Sequence, residues 1–443
     1  MVAPNSSLKS RARKLSARLF TFLFLLGAAA TISAGPLENY VTALDTNFTW
    51  KKIDQRAVDG STVTHLELVS QKWREHLWQH HVQIVRPAKV RNPDIAFLLV
   101  SGDGDGRSSL ELLKLLSSRA GAVAAVVTRV PNQPLYGGRK EDALIAYTFD
   151  QYLRTGDATW PLLFPMVKSA VRAMDAVQAF SKEDTKQNIQ KFVVGGASKR
   201  GWTTWLTAAV DPRVKAISPM VIDTLNMREQ AHWAEKVYGK QSEQIRDYTD
   251  INLIARIDEP EVIQLLALVD PYSYRERYYM PKLLLLGTND PYWTVDSLRH
   301  YWDALPGPKL IFQTPNAGHN LGGGKEAMQT LAAFFEMVAD GKELPQMEWR
   351  FEKSPKAGVF VKVNQPAKSV RLWTADSTDR DFRNDKWTSS ELEIKPGSAQ
   401  ATGQVEVPEK GYRAFLAEVL LTSPAGHPYK LSTEARVAPD NIR

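Results

Sequence analysis

Apolar positions take two textures along this chain. Up to about residue 340, short unbroken apolar runs alternate with stretches of helical period. Ile95 to Val100 (Ile-Ala-Phe-Leu-Leu-Val), Ala122 to Val127, Phe192 to Val194, Lys282 to Leu286 and Lys309 to Gln313 read as strands buried on both faces. Val214 to Ile217 with Pro219 to Ile222 reads as one more, interrupted by proline. Helical patterns separate them: Leu110 to Leu116, Asp142 to Leu153, Leu163 to Phe180, Thr294 to Trp302 and Lys325 to Val338. A long, mostly helical excursion fills Asn226 to Met280. Ahead of these, Thr62 to Trp73 and His76 to Val85 alternate and pair across Arg74-Glu75, whereas Pro36 to Trp50 carries little regular pattern. Such alternation of strand and helix predicts an α/β domain with a mostly parallel sheet covered on both faces.

From about Glu343 the texture changes. Phe351 to Val363, Ser369 to Thr374, Trp387 to Ile394, Gln404 to Val407, Arg413 to Thr422 and Tyr429 to Val437 are short alternating runs between turns rich in Pro, Gly, Asp and Ser. They predict an immunoglobulin-like β-sandwich over 346–443. The α/β domain then spans 35–345, with a helical cap at 226–280.

The formal charge of +7 changes meaning once the first residues are read. Lys9, Arg11, Arg13, Lys14 and Arg18 precede an apolar run from Leu19 to Ala30, and no acid occurs before Glu38. That is the plan of a secretory signal peptide over 1–34, cleaved after Ala30 or Ala34. Taking its five charges from +7 leaves +2, so no nucleic-acid-binding footprint remains. The run is short for a bilayer, so no stable membrane insertion is expected after cleavage. With no cysteine in 443 residues, disulfides and thiolate metal sites are excluded.

The chemistry centres on Lys191 to Leu206. Phe192 to Val194 leads into Gly195-Gly196-Ala197, then Ser198, then a helical pattern through Trp202, Trp205 and Leu206. This is the strand–turn–helix of a nucleophile elbow, whose serine sits on a turn so sharp that its neighbours must be small. The usual Gly-x-Ser-x-Gly is altered here: Arg200 holds the second glycine position and Gly201 follows. A serine needs a base, and the base an acid to orient it. With the elbow on the fifth strand, the acid and then the histidine should follow later strands. Leu283 to Asp290 and Leu310 to His319 supply them in that order, giving a candidate triad Ser198, Asp290 and His319. Backbone N–H groups of Lys199 and of Gly102, in the Ser101 to Gly106 loop, are the candidate oxyanion donors. Asp223, after the sixth strand, is a rival acid, and Asp296 reads as the N-terminal charge of a helix. His65, His76, His80 and His81 read as strand-surface residues, and Asp103 and Asp105 lack the ligand spacing of a calcium loop. No metal or other cofactor is expected.

Val130-Pro-Asn-Gln-Pro134, Glu141 to Tyr147, Trp160-Pro, Pro165-Met, Val171 to Asp175, Gly196 to Trp205, Val221-Ile-Asp223 with Asn226, and Pro315 to His319 resemble the PhoPQ-activated pathogenicity-related proteins of the α/β-hydrolase clan. The resemblance covers most of the chain after the leader. It implies an exported bacterial protein linked to virulence, periplasmic or secreted, on an α/β-hydrolase fold, without naming a reaction. Where Asp290-Pro-Tyr-Trp293 stands, an acidic residue and paired phenylalanines are expected from the family. Ser198-Lys199 is also similar to the elbow of glucuronoyl esterases, where a basic side chain assists the oxyanion. The expected function is a serine hydrolase acting on small-molecule esters or peptides. The cap and β-appendage resemble those of exopeptidases of the prolyl-peptidase group. The alternative is a catalytically weak hydrolase-fold protein that binds or signals.

Overall fold

The structure is a computed structural model that describes residues 35–352, 357–394 and 399–442. The expected signal peptide lies outside the described residues. Nine strands form the main sheet: β1 (Thr49–Val58), β2 (Ser61–Trp73), β3 (His76–Arg86), β4 (Ile95–Val100), β5 (Val123–Val127), β6 (Lys191–Ala197), β7 (Val214–Met220), β8 (Lys282–Gly287) and β9 (Lys309–Thr314). Their order is β1-β2-β3-β5-β4-β6-β7-β8-β9. The pairs β1–β2, β2–β3 and β3–β5 are antiparallel, and every pair from β5 to β9 is parallel. β1 is a strand that the apolar pattern does not predict, so the elbow strand is the sixth and not the fifth. Nearly every β1 residue is exposed, so no apolar face marked it. What makes it a strand is ladder pairing to β2, from Thr49 opposite Val69 to Val58 opposite Ser61.

The unbroken apolar strands feed two cores, because successive side chains leave opposite faces of a sheet. Ala96, Leu98, Val100, Phe192, Val194, Leu284 and Leu286 face one core. Helices α1 (Pro36–Thr42), α3 (Glu141–Thr155), α4 (Leu163–Thr185) and α5 (Lys199–Val210) and the cap contribute to that core. Ile95, Phe97, Leu99, Val193, Leu283 and Leu285 face the other, which α2 (Leu110–Ala120) and α9 (Lys325–Ala339) cover. Each wholly buried leucine contributes about 1.5–3 kcal/mol. Nine buried side chains on β4 and β6, five on one face and four on the other, thus fix the level from which the loops after these strands spring.

The cap contains α6 (Met227–Tyr238), α7 (Arg246–Thr249) and α8 (Pro260–Val269). Its two ends are tied by one buried carboxylate: Asp270 accepts from the backbone N–H groups of Met227 (2.7 Å), Tyr272 (2.9 Å) and Asn226 (3.2 Å). The expected helix from Thr294 to Trp302 shrinks to a 3-10 turn, Ser297–His300. The Asp296 side chain does not cap that turn, since it is engaged by arginines.

The C-terminal strands are β10 (Met347–Glu352), β11 (Ala357–Val363), β12 (Ser369–Ser377), β13 (Thr388–Leu392), β14 (Gln400–Val405), β15 (Tyr412–Thr422), β16 (Pro428–Ser432) and β17 (Arg436–Ala438). They make one sheet ordered β10-β11-β14 and another ordered β13-β12-β15-β16, with β17 also on β15. The Phe351 to Val363 run is therefore two antiparallel strands, and the strand expected at Gln404 to Val407 runs earlier, at Gln400–Val405. Val359, Val361, Leu372 and Phe415 share a core with Phe334 and Phe335 of α9. Gln313 on β9 is held at both ends, its N–H donating to Ser432 Oγ (2.9 Å) and its Oε1 accepting from Ala435 N–H (2.7 Å). The β-layers are thus welded to the half of the sheet that carries the candidate acid and base. Among the described residues, no helix is long and apolar enough to cross a membrane.

Candidate active site

Ser198 is the single residue between β6 and α5, at φ 57° and ψ −129°. A non-glycine residue with φ in that region is strained and persists only where its surroundings hold it. Its N–H donates to Met220 O (2.8 Å). A Cβ on Gly196 would lie 2.5 Å from Arg200 O, and one on Gly201 would lie 2.7 Å from Ile222 Cγ2. Crowding therefore falls on 196 and 201, which explains why the second glycine comes one residue late. Arg200 does more than avoid that crowding. Its buried guanidinium donates through Nε to Val130 O (2.6 Å) and through both terminal nitrogens to Glu141 (2.6 and 2.7 Å). It also passes under Gly102, where a Cβ would come 2.6 Å from Nη2.

Lys199 is buried, with Nζ 3.0 Å from Glu141 and 2.9 Å from Asp142. The oxyanion role suggested for its side chain is not what the structure shows, because two carboxylates hold that ammonium. Burial pushes the Glu141 carboxyl up, but Arg200 and Lys199 outweigh it and hold the group at about 2. The backbone N–H of Lys199 opens α5, where unpaired amides favour negative charge. Gly102 is placed by the sheet: β4 and β6 pair Val100 with Gly196, and both Gly102 and Ser198 lie two residues beyond that pair.

Asp290 follows β8 and His319 follows β9, at the same edge of the parallel sheet as Ser198. His319 Nδ1 is 2.8 Å from Asp290 Oδ2. A buried carboxylate there makes Nδ1 the donor and leaves Nε2 as the basic nitrogen. Asp290 Oδ1 accepts from Tyr292 N–H (3.1 Å), and the Tyr292 ring stacks on the imidazole with centroids 4.4 Å apart. Among the described residues no hydrogen bond joins Ser198 to His319. Tyr292 links them instead, touching His319 and lining a cavity with Ser198.

Both loops are fastened from the C-terminal layers, a feature with no signal in the sequence because loop carbonyls do most of the accepting. Asn289 Nδ2 donates to Phe382 O (3.0 Å) and Asp385 O (2.8 Å). Asn316, at φ 57°, donates to Trp387 O (2.9 Å) and accepts from Trp387 N–H (2.8 Å).

The rivals have other partners. Asp223 is buried and accepts from Tyr301 O–H (2.7 Å). Burial, with the nearby Asp290 charge, pushes it up to about 8. A carboxyl raised above its unfolded value binds its proton more tightly when folded. Stability is then fully present below about pH 4 and lost as pH rises through about 8. Asp223→Asn, which keeps an acceptor for Tyr301, is expected to raise Tm by a few °C at pH 8.5 and to leave it nearly unchanged at pH 4. Thermal denaturation at both pH values checks this; equal shifts would show that ionisation is not the cause. Asp296 is an ion-pair centre and not a helix-end charge: burial pushes it up, yet Arg380 and Arg299 hold it at about 2. His65 bonds Asp54 and Gln83, and His80 bonds Ser70 and the Thr128 carbonyl. Asp103 is bonded by Gln133 and Asp105 by Arg107.

The cavity beside Ser198 measures about 120 Å³ and is roofed by the cap, with Met227, Ile245, Leu253 and Ile254 among its walls. A mostly parallel sheet with an antiparallel entry, a strained serine elbow and a cap inserted after β7 define an α/β-hydrolase fold. Within that class, the chain belongs to the PhoPQ-activated pathogenicity-related protein family, whose model matches residues 37–383. It is 32% identical over 445 residues to the autocrine proliferation repressor protein A of Dictyostelium discoideum, covering 89% of this chain and 88% of that protein. Among solved structures it is similar to acetyl xylan esterase 1 from Thermoanaerobacterium sp. (16% identity, 67% of this chain and 92% of that one, TM-score 0.48). An acetyl xylan esterase from Paenibacillus sp. R4 is comparable (14% identity, 67% and 91%, TM-score 0.49).

Proposed function

We propose that this chain is a serine hydrolase that cleaves ester or amide bonds of small molecules or peptides through an acyl-enzyme. The observation that carries the reading is the 2.8 Å His319–Asp290 pair at the sheet edge where Ser198 holds its strained elbow. In this reading Ser198 Oγ attacks the carbonyl carbon, His319 Nε2 takes its proton and returns it to the leaving group, and Asp290 steadies the imidazolium. The N–H groups of Lys199 and Gly102 receive the oxyanion, and the Glu141–Arg200 pair braces both backbone segments. Export through the 1–34 leader to the periplasm or medium of a bacterium, and the link to virulence in the family's name, belong to the same proposal. A burst of one aryl alcohol per enzyme from a nitrophenyl ester tests it.

A second reading, a binding or signalling protein on a weak hydrolase scaffold, draws on the missing Ser198–His319 bond and on the relative's printed name. Catalytic hydrogen bonds are often loose without substrate, which favours the enzyme. No turnover of any acyl ester or aminoacyl amide would favour the second.

Fastening of the catalytic loops has a kinetic consequence. Asn289→Ala and Asn316→Ala are each expected to lower kcat about tenfold to a hundredfold with little change in KM, because displacement near 1 Å costs that much. Steady-state kinetics on a cleaved ester checks this. We also propose residue 346 as the start of a C-terminal β-domain. Limited proteolysis should nick the exposed stretch near Gly341 to Gln346, and a first stable cut within Phe351 to Val363 would contradict it.

A further inference from the structure

The cavity is lined by Ser198, Lys199 and Tyr292, but His319 is not among its walls. A departing alcohol or amine takes its proton from the histidine, so it leaves on the His319 side. The cavity is therefore on the acyl side of the scissile bond. Its walls are chiefly apolar, with Phe149 and Trp202 below and cap residues such as Met227, Leu253 and Ile254 above.

The polar groups on those walls are mostly spent inside the protein. Asp142 takes Lys199 Nζ (2.9 Å) and Tyr248 O–H (2.9 Å). Gln230 Nε2 donates to Leu225 O (3.2 Å) and Ser297 O (3.1 Å), and Gln241 Nε2 to Ala231 O (3.0 Å). Thr294 and Ser297 bond each other (3.0 Å). Trp293 differs, since its indole N–H is buried without a partner. A sugar ring brings many hydroxyls, each costing free energy when buried without a partner, and these walls offer few. An apolar acyl group with at most one acceptor brings no such cost.

Size narrows the class. A cavity of about 150 Å³ is known to take benzene, and this one is about 120 Å³. We propose, resting on the serine-hydrolase reading, that the site takes esters or amides of small apolar acyl groups. These are chains of about four to six carbons or a benzoyl-sized ring, and not acetyl groups or long fatty chains.

The test is kcat/KM of the full chain on nitrophenyl acetate, butanoate, pentanoate, benzoate, octanoate and palmitate, with fluorophosphonate labelling of the same preparation run alongside. Each methylene buried beside Ser198 should raise kcat/KM about fourfold, so pentanoate, with three more methylenes, should exceed acetate about sixtyfold and palmitate should fall away. Ala234→Leu, which fills the cavity from the cap, should lower the pentanoate-to-acetate ratio at least tenfold. Labelling at Ser198 with an acetate or palmitate optimum, a flat profile or no cleavage in the series overturns the acyl-group proposal and leaves the nucleophile standing. Absence of labelling at Ser198 overturns the nucleophile and the acyl-group proposal together.

Discussion

Asp290→Asn is expected to lower kcat/KM by about four orders of magnitude, and Asp223→Asn by less than tenfold. An asparagine at 290 keeps the shape but offers its amide to Nδ1, so the imidazole carries its proton on Nε2 and cannot accept one from Ser198; serine proteases lose about that much by the same change. Asp223 is bonded to Tyr301 and held near-neutral by burial, so it has no negative charge to give an imidazolium at pH 7. Rates on one ester for both variants decide between them. A reversal of the two effects would put the acid after β7.

Ser198→Ala and His319→Ala should each cost turnover as severely as removing both, about five to six orders of magnitude, because the two side chains act on one proton in one step. Neither change should unfold the protein. Alanine at 198 buries no new polar group. The His319 side chain is 27% exposed and leaves a gap open to solvent. Turnover of the single variants and the double variant, with thermal denaturation as the control, checks the prediction. Additive losses would mean that the two residues do not act as a unit.

Much of this site was legible because its signals are local. A buried strand, a small-residue corner and a helix start fit within Lys191 to Leu206, and the acid and the base each stand at the end of an apolar run. The elements that went unread depend on partners far away in the chain. β1 shows no apolar face and is a strand through its pairing with β2. Arg200 was legible as a departure from the elbow pattern, but its role comes from Glu141, 59 residues earlier. The straps on Asn289 and Asn316 involve the backbone of 382–387, which no side-chain pattern encodes. Lys199 shows the opposite case, where a likeness in the elbow suggested a use for the ammonium that Glu141 and Asp142 already claim.

The most direct test is to treat the full chain with a fluorophosphonate, digest it with trypsin and weigh the peptide Phe192 to Lys199. A single adduct per chain is expected, on Ser198, absent from Ser198→Ala and nearly absent from His319→Ala. Undiminished labelling of Ser198→Ala, or an adduct elsewhere in the chain, would contradict it.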